Sequence, residues 1–192
     1  MRWAVTVSMA VLVLAVAFPT GATTVLKLPV EDMTRRADLV MRAQVGSVDV
    51  RVEQGGVRPV ATVVTFRVLA VLKGQATSPI FRLELPGGHV GTASSFIPGM
   101  PSFREGEEVV LFLQRTPGGF IPAGLSQGKY RVRRESSGLA RAARETINVS
   151  RVAHDVTGKL VHVEGPDPED DLPLDDLLKA VGRGLLRKGG AR

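Results

Sequence analysis

Asp38-Leu39-Val40-Met41-Arg42-Ala43-Gln44-Val45-Gly46-Ser47-Val48-Asp49-Val50-Arg51-Val52-Glu53 is the stretch that decides the fold. Leu39, Met41, Ala43 and Val45 alternate with Val40, Arg42 and Gln44. Val48, Val50 and Val52 then alternate with Asp49, Arg51 and Glu53. A period of two over so long a run is a β-strand, because successive side chains of a strand point to opposite faces. A strand of this length must curl, and Gly46 in its middle marks the expected bend or bulge.

The neighbouring segments read the same way. Gln54-Gly55-Gly56 makes a turn, and Val60 to Leu72 is a second strand rich in Val, Thr and Phe, closed by Lys73-Gly74. Ile80 to Leu85 is a third strand with Phe81, Leu83 and Leu85 on one face, stopped by Pro86-Gly87-Gly88. Residues 86–106 form the longest loop, and a loop of that length is usually functional or mobile. Glu107 to Gln114 is a fourth strand whose Val109-Val110-Leu111-Phe112-Leu113 run suits a centre buried on both sides. Phe120-Ile121 forms a brief return strand. Lys129 to Arg134 is the fifth main strand, with Tyr130 and Val132 facing in. Thr146 to Val152 and Lys159 to Val163 are weaker strand candidates. Upstream, Pro29 opens a short helix ending near residue 37, with Glu31 and Asp32 in its first turn. Five main strands with turn signals and flanking helices predict a mainly β chain folded as a small closed β-barrel of OB type, spanning 23–163. Residues 164–173 read as an acidic linker. Leu174, Leu177, Leu178, Val181 and Leu185 recur at helical spacing, which predicts a C-terminal helix over 174–188. Gly182 and Gly184 weaken that helix, so it needs to dock on the body.

The run Ala37-Asp38-Leu39-Val40, then Val63 to Val68, then Val71-Leu72-Lys73-Gly74, resembles uncharacterised secreted bacterial proteins. So does Gly106 to Leu113 followed by Gly128-Lys129-Tyr130. More distantly, residues 30–134 are similar to the netrin-like module of tissue inhibitors of metalloproteinases. The resemblance implies the barrel. It also implies an alternative activity, metalloprotease inhibition through the mature N-terminus, here Thr23-Thr24. The inhibitors use an N-terminal Cys for this, and this chain contains no cysteine.

Compartment is read from residues 1–22. Arg2 is followed by an uncharged stretch from Trp3 to Phe18, then by Pro19, Thr20, Gly21 and Ala22, which together make a secretory signal cleaved after Ala22. A retained anchor is the alternative, although the stretch falls short of the roughly 20 residues of a membrane span. No later run approaches that length, so no integral membrane segment is expected after cleavage. The expected location is secreted or periplasmic. Without cysteine there is no disulfide, no thiolate metal site and no lipid attachment point. Losing Arg2 with the leader leaves 24 basic against 19 acidic residues, net +5. The excess lies in residues 23–163, with 19 basic and 12 acidic, while residues 164–192 carry 5 and 7. A basic body suits an anionic envelope polymer as partner, or simply solubility.

Candidate chemistry is sparse. Gly124-Leu125-Ser126-Gln127-Gly128 matches the G-x-S-x-G pattern of serine hydrolases, which requires a strand entering and a helix leaving the turn. Here a strand follows, so a hydrolase is the weakest alternative. His89, His154 and His162 are the only histidines and show no ligand spacing, so neither a metal nor a cofactor is expected. Lys129, Arg131 and Arg133 alternate on one strand face, an outward stripe that could hold phosphates or acidic sugars. Nucleic acid is disfavoured because stacking aromatics are missing beside the stripe. Phe96-Ile97 forms an apolar tip in the long loop, near His89. Asn148-Val149-Ser150 is a glycosylation sequon, meaningful only on a eukaryotic route. Asp167 to Asp171 could attract calcium, but its prolines suit a solvated spacer. The reading is a non-enzymatic binding module that holds a protein or an anionic envelope polymer. Its expected partner-binding residues are His89, Phe96, Ile97, Lys129, Arg131 and Arg133.

Overall fold

Long alternating runs become long paired strands in the computed structural model, which describes residues 23–52, 60–145, 149–154, 157, 159–162 and 167–186. Residues 1–22, where the secretory signal is expected, the expected turn Gln54-Gly55-Gly56 and the sequon residue Asn148 lie outside the described residues. In chain order the elements are β1 (Thr23–Leu26), α1 (Val30–Arg36), β2 (Leu39–Val52), β3 (Val60–Lys73), β4 (Ile80–Pro86), β5 (Gly88–Val90) and β6 (Ala93–Ser95). There follow β7 (Glu108–Thr116), β8 (Gly119–Pro122), β9 (Lys129–Arg134), β10 (Ala140–Arg144), β11 (Val149–His154), β12 (Leu160–His162), β13 (Asp171–Pro173) and α2 (Leu174–Leu186). Single 3-10 turns occupy Leu125–Gly128 and Pro168–Asp170.

The main sheet is antiparallel, in the order β13-β10-β9-β7-β2-β3-β4. β8 pairs with β7 beyond the end of β9, so the two share one edge of the central strand. Gly46 is where the register of β2 and β3 slips: Val45 faces Phe66 and Ser47 faces Thr65, leaving Gly46 as the extra residue of a bulge. Two further shifts, between Val40 and Met41 and between Arg42 and Ala43, fall near the other end of the pair. The bulged sheet coils until β4 nears β8, where the rings of Phe81 and Phe120 meet edge-on at 5.6 Å. No ladder joins those two strands, and among the described residues no sheet closes into the expected barrel.

Alternation sorts the apolar residues into two cores on opposite faces of one sheet. Val40, Val110, Phe112, Tyr130, Val132 and Ala142 face α1 and α2, where Val30, Met33, Leu177 and Val181 complete a buried layer. Leu39, Met41, Val64, Phe66, Leu83, Leu85, Leu111 and Leu113 fill the concave face, which Met100 and Phe103 from the long loop cover. β7 contributes to both layers, as its continuous apolar run anticipates.

Several boundaries differ from expectation. Ala140–Arg144 is a strand that the sequence does not advertise, and β9 recruits it by pairing from Ala140↔Arg134 to Arg144↔Tyr130. Residues 167–173 of the expected linker are built into the fold. Asp167 is buried, and β13 pairs with β10. These residues are held because five basic side chains, Lys27, Arg133, Arg141, Arg144 and Arg151, pair with their carboxylates, as described below. α2 ends at Leu186 within the described residues and crosses α1 at Gly184, where a Cβ would lie 2.7 Å from the Thr34 Cβ and 2.9 Å from the Glu31 carbonyl oxygen. The glycine that weakens the helix is therefore what lets it dock. β1, β11 and β12 form a separate three-stranded sheet, and β5 and β6 a small hairpin.

Candidate functional site

The long loop folds back over the concave face and encloses a cleft of about 400 Å³. Pro86-Gly87-Gly88 lets it do so. Gly88 has φ of 139°, and a Cβ there would sit 2.6 Å from Thr62 Oγ1 and 2.8 Å from Val50 Cγ1. Only a glycine brings the hairpin that close to the sheet. The approach is fixed by the Gly87 amide donating to the Val60 carbonyl at 2.9 Å and by Thr62 Oγ1 donating to the Gly87 carbonyl at 2.7 Å. Val48, Val50 and Leu85 form the sheet side of the cleft; Ile97, Met100 and Phe103 form the loop side; His89, Ser94 and Ser95 come from the hairpin. Phe96 also lines it and is 70% exposed. Three residues expected to bind a partner, His89, Phe96 and Ile97, thus share one cavity.

The far wall of the cleft is tied down by buried charge. Glu145 Oε1 accepts from both the amide and the hydroxyl of Ser102, at 3.0 and 2.9 Å. Lys129 Nζ donates to the Ser102 carbonyl and lies 3.0 Å from Glu107 and 2.8 Å from Glu145. The same ammonium stands 4.6 Å from the centre of the Phe103 ring. Lys129 is 1% exposed, which corrects its expected place on an outward stripe. Lys129 opposes Leu111 on the concave face, and the start of β9 runs under the loop. Burial of the ammonium is compensated because two carboxylates and a carbonyl surround it.

The rest of the stripe is exposed but engaged. Arg131 pairs with Glu107 at 2.8 Å, Arg133 with Asp171, and Arg134 with Glu108 at 3.5 Å. Asp171 also takes Arg141 at 3.0 Å, and Glu108 takes Arg42 at 2.6 Å. A shallow hollow of about 280 Å³ lies beside Arg131 and Arg133, with Glu145 in its wall. Any anion there would compete with carboxylates already in place. Arg131 and Arg133 line that hollow together, whereas Lys129, which shares Glu107 with Arg131, is buried beneath the loop.

On the helix face, Arg144 has a fully buried side chain. Its Nε donates to Tyr130 Oη at 2.7 Å and its Nη1 to the Leu28 carbonyl at 3.2 Å, while Glu169 accepts at 3.3 Å. Arg151 pairs with Asp170 at 2.6 Å, and Lys27 with Asp167 at 2.6 Å. These cations occupy the carboxylates of the acidic segment, and no group of three His, Asp or Glu side chains able to hold a metal occurs among the described residues. Burial pushes the Tyr130 hydroxyl far above its ordinary range, outweighing the opposing pull of Arg144. Burial also works to raise Asp167, but Lys27, the Glu169 amide and Arg144 together hold it below the usual carboxylate range.

Ser126 sits in the 3-10 turn after two left-handed residues, Gly124 at φ 67° and Leu125 at φ 61°, of which only the leucine is strained. β9 leaves the turn, not a helix. The serine hydroxyl is buried with no hydrogen-bond partner among the described residues, so no base addresses it. The turn instead clamps chain segments: Gln127 Oε1 accepts from the Leu28 amide at 3.1 Å, Gln127 Nε2 donates to the Leu26 carbonyl at 3.0 Å, and the Ser126 amide donates to the Gly99 carbonyl at 2.8 Å. Thr23 and Thr24 lie in β1, in parallel register with Val149 and Ser150. His154 and His162 belong to β11 and β12, away from the hairpin strand that carries His89. No helix among the described residues is long and apolar enough to cross a membrane.

Sequence reasoning finds the loop half of the cleft and misses the rest. Val50 and Leu85 look like ordinary strand residues, and the Glu145–Ser102 tie joins positions 43 apart with no local signature. No protein-family model, curated protein or solved structure matches this chain.

Proposed function

We propose that the chain is an exported, non-enzymatic binding protein, carried across a membrane by the leader 1–22, whose binding site is the cleft beneath loop 86–106. One observation carries this reading: His89, Phe96 and Ile97 line a single cavity of about 400 Å³ whose walls are pinned from both sides. Cavities of roughly 300–1,000 Å³ with mostly apolar walls and a few polar groups are the usual form of small-ligand sites. Phe96, largely exposed at the cavity mouth, offers an arriving ligand apolar surface continuous with the lining. The fold that accompanies this reading is an OB-like cylinder left open between β4 and β8, and the Phe81–Phe120 contact across that seam supports it.

The test uses the mature protein, residues 23–192, and the uncharged fluorescent probe N-phenyl-1-naphthylamine. Probe fluorescence should rise on binding, and Phe96→Asp should weaken uptake without moving the melting temperature, since that side chain is largely in solvent. Ile97→Asp should weaken it further. Absence of uptake by the parent protein, or uptake untouched by both substitutions, would remove the cleft as the binding site.

A further inference from the structure

We infer that the ligand of this cleft is an uncharged small amphiphile, with a hydrocarbon body and one hydroxyl-sized polar end; the inference rests on the cleft being the binding site. Among the described residues, no Lys, Arg, Asp or Glu contributes to the lining. Alternation along β2 places Val48 and Val50 towards the cleft and sends Asp49 and Arg51 to the opposite face, where Arg51 pairs with Glu84 at 2.5 Å and Asp49 accepts from the Ser47 hydroxyl at 3.0 Å. The nearest buried charge, Lys129, is spent on Glu107, Glu145 and the Ser102 carbonyl. A carboxylate or ammonium at the inner wall would lose its water and meet no opposite charge, and one at the hairpin keeps only part of its water and still meets no Lys, Arg, Asp or Glu of the described lining, whereas an uncharged end gives up much less. A hydrocarbon body meets Val50, Leu85, Ile97, Met100 and Phe103, and is favoured there by the area it removes from water.

The polar end is placed by the distribution of hydroxyl groups. Thr62 Oγ1 donates to the Gly87 carbonyl and Ser102 Oγ to Glu145, so the protons of these inner hydroxyls are already committed. His89 and Ser94 come from the exposed hairpin and remain in contact with solvent. A ligand hydroxyl lying between them can exchange hydrogen bonds with both and with water. The cleft is held open by its ties at Gly87, Gly99 and Ser102, so a ligand enters a formed site and does not have to order one.

Three probes of one chain length separate the possibilities: 1-decanol, decanoate and decyltrimethylammonium, each kept below the concentration at which it forms micelles. At pH 8 each is added to the mature protein loaded with N-phenyl-1-naphthylamine. Decanol should displace the probe at a concentration at least about tenfold lower than either ion. Ser94→Lys, a change at an exposed position, should bring decanoate to parity with decanol or better while leaving decyltrimethylammonium poor. Equal displacement by the alcohol and an ion in the parent protein would overturn the neutral-ligand inference while leaving the cleft as the site. Indifference of decanoate to Ser94→Lys would overturn the placement of the polar end at the hairpin. If the probe does not bind at all, the binding-site reading fails before this comparison begins.

Discussion

Arg144 and Arg131 lie one strand apart and face opposite environments. Arg144 is sealed against Tyr130, the Leu28 carbonyl and Glu169, whereas Arg131 keeps about half of its side chain in water while touching Glu107. Removing one member of a buried pair leaves its partners charged or unsatisfied, so Arg144→Ala should cost about 3–5 kcal/mol in urea unfolding. Arg131→Ala should stay within about 1 kcal/mol, as exposed pairs do. Equal effects would mean the two sites are not distinguished by burial. Tyr130 gives a second test. It is the only tyrosine, and burial raises its hydroxyl above the unfolded value of about 10. A folded state that retains a proton the unfolded chain releases loses stability as pH rises above that unfolded value. Tyrosinate absorbance near 295 nm should therefore stay flat past pH 10 and rise only together with loss of the far-ultraviolet dichroism, and Tyr130→Phe should flatten the alkaline fall relative to the parent. A simple titration at pH 10 in the folded protein would contradict this. These residues also show what sequence can resolve: alternation alone puts Tyr130 and Val132 inside. It cannot see that Lys129, on the other face, is roofed by Ser102 and Phe103, because that roof comes from a loop more than twenty positions away.

At the scale of elements, two glycines in α2 separate propensity from packing. Both cost helix stability in isolation, by about 1 kcal/mol relative to alanine. A Cβ on Gly182 meets nothing within 4 Å, whereas one on Gly184 runs into Thr34 and the Glu31 backbone of α1. Gly182→Ala should stabilise the fold by about 0.5–1 kcal/mol. Gly184→Ala should destabilise it by about 1–3 kcal/mol, because the clash pushes two helices apart over a shared core. Thermal melting of the two variants checks the opposite signs, and a stabilising Gly184→Ala would mean that α2 does not rest on α1. The elements themselves were legible wherever hydrophobic alternation was long: β2, β3, β4, β7 and β9 all appear close to where their patterns place them. β10 was not, since Ala-Arg-Ala-Ala-Arg carries no strand signal and is extended only because Arg134 to Tyr130 offer it a ladder. The acidic segment misled for a related reason. Its composition suits solvent, but Lys27, Arg144 and Arg151 are inside the fold waiting for it.

For the molecule as a whole, one sheet with a core on each face makes the cleft and the helices parts of a single cooperative unit, and the turn Leu125–Gly128 joins them. Gln127 holds the Leu26–Leu28 backbone that leads into α1, while the next residue back, Ser126, donates to Gly99 in the wall-forming loop. One short turn, whose Leu125 is held in the left-handed region, thus touches both the N-terminal segment and the wall-forming loop. Gln127→Ala strips the buried Leu28 amide of its acceptor, which should cost about 1–3 kcal/mol. If the turn couples the two regions, the same substitution should also speed hydrogen exchange of the Ser126 amide and lower affinity for N-phenyl-1-naphthylamine in the cleft, although Gln127 does not line it. A local role predicts something else: lower global stability with the Ser126 amide and probe binding unchanged. Hydrogen exchange on the folded variant decides between them, because it reads opening of the Ser126–Gly99 bond separately from global unfolding.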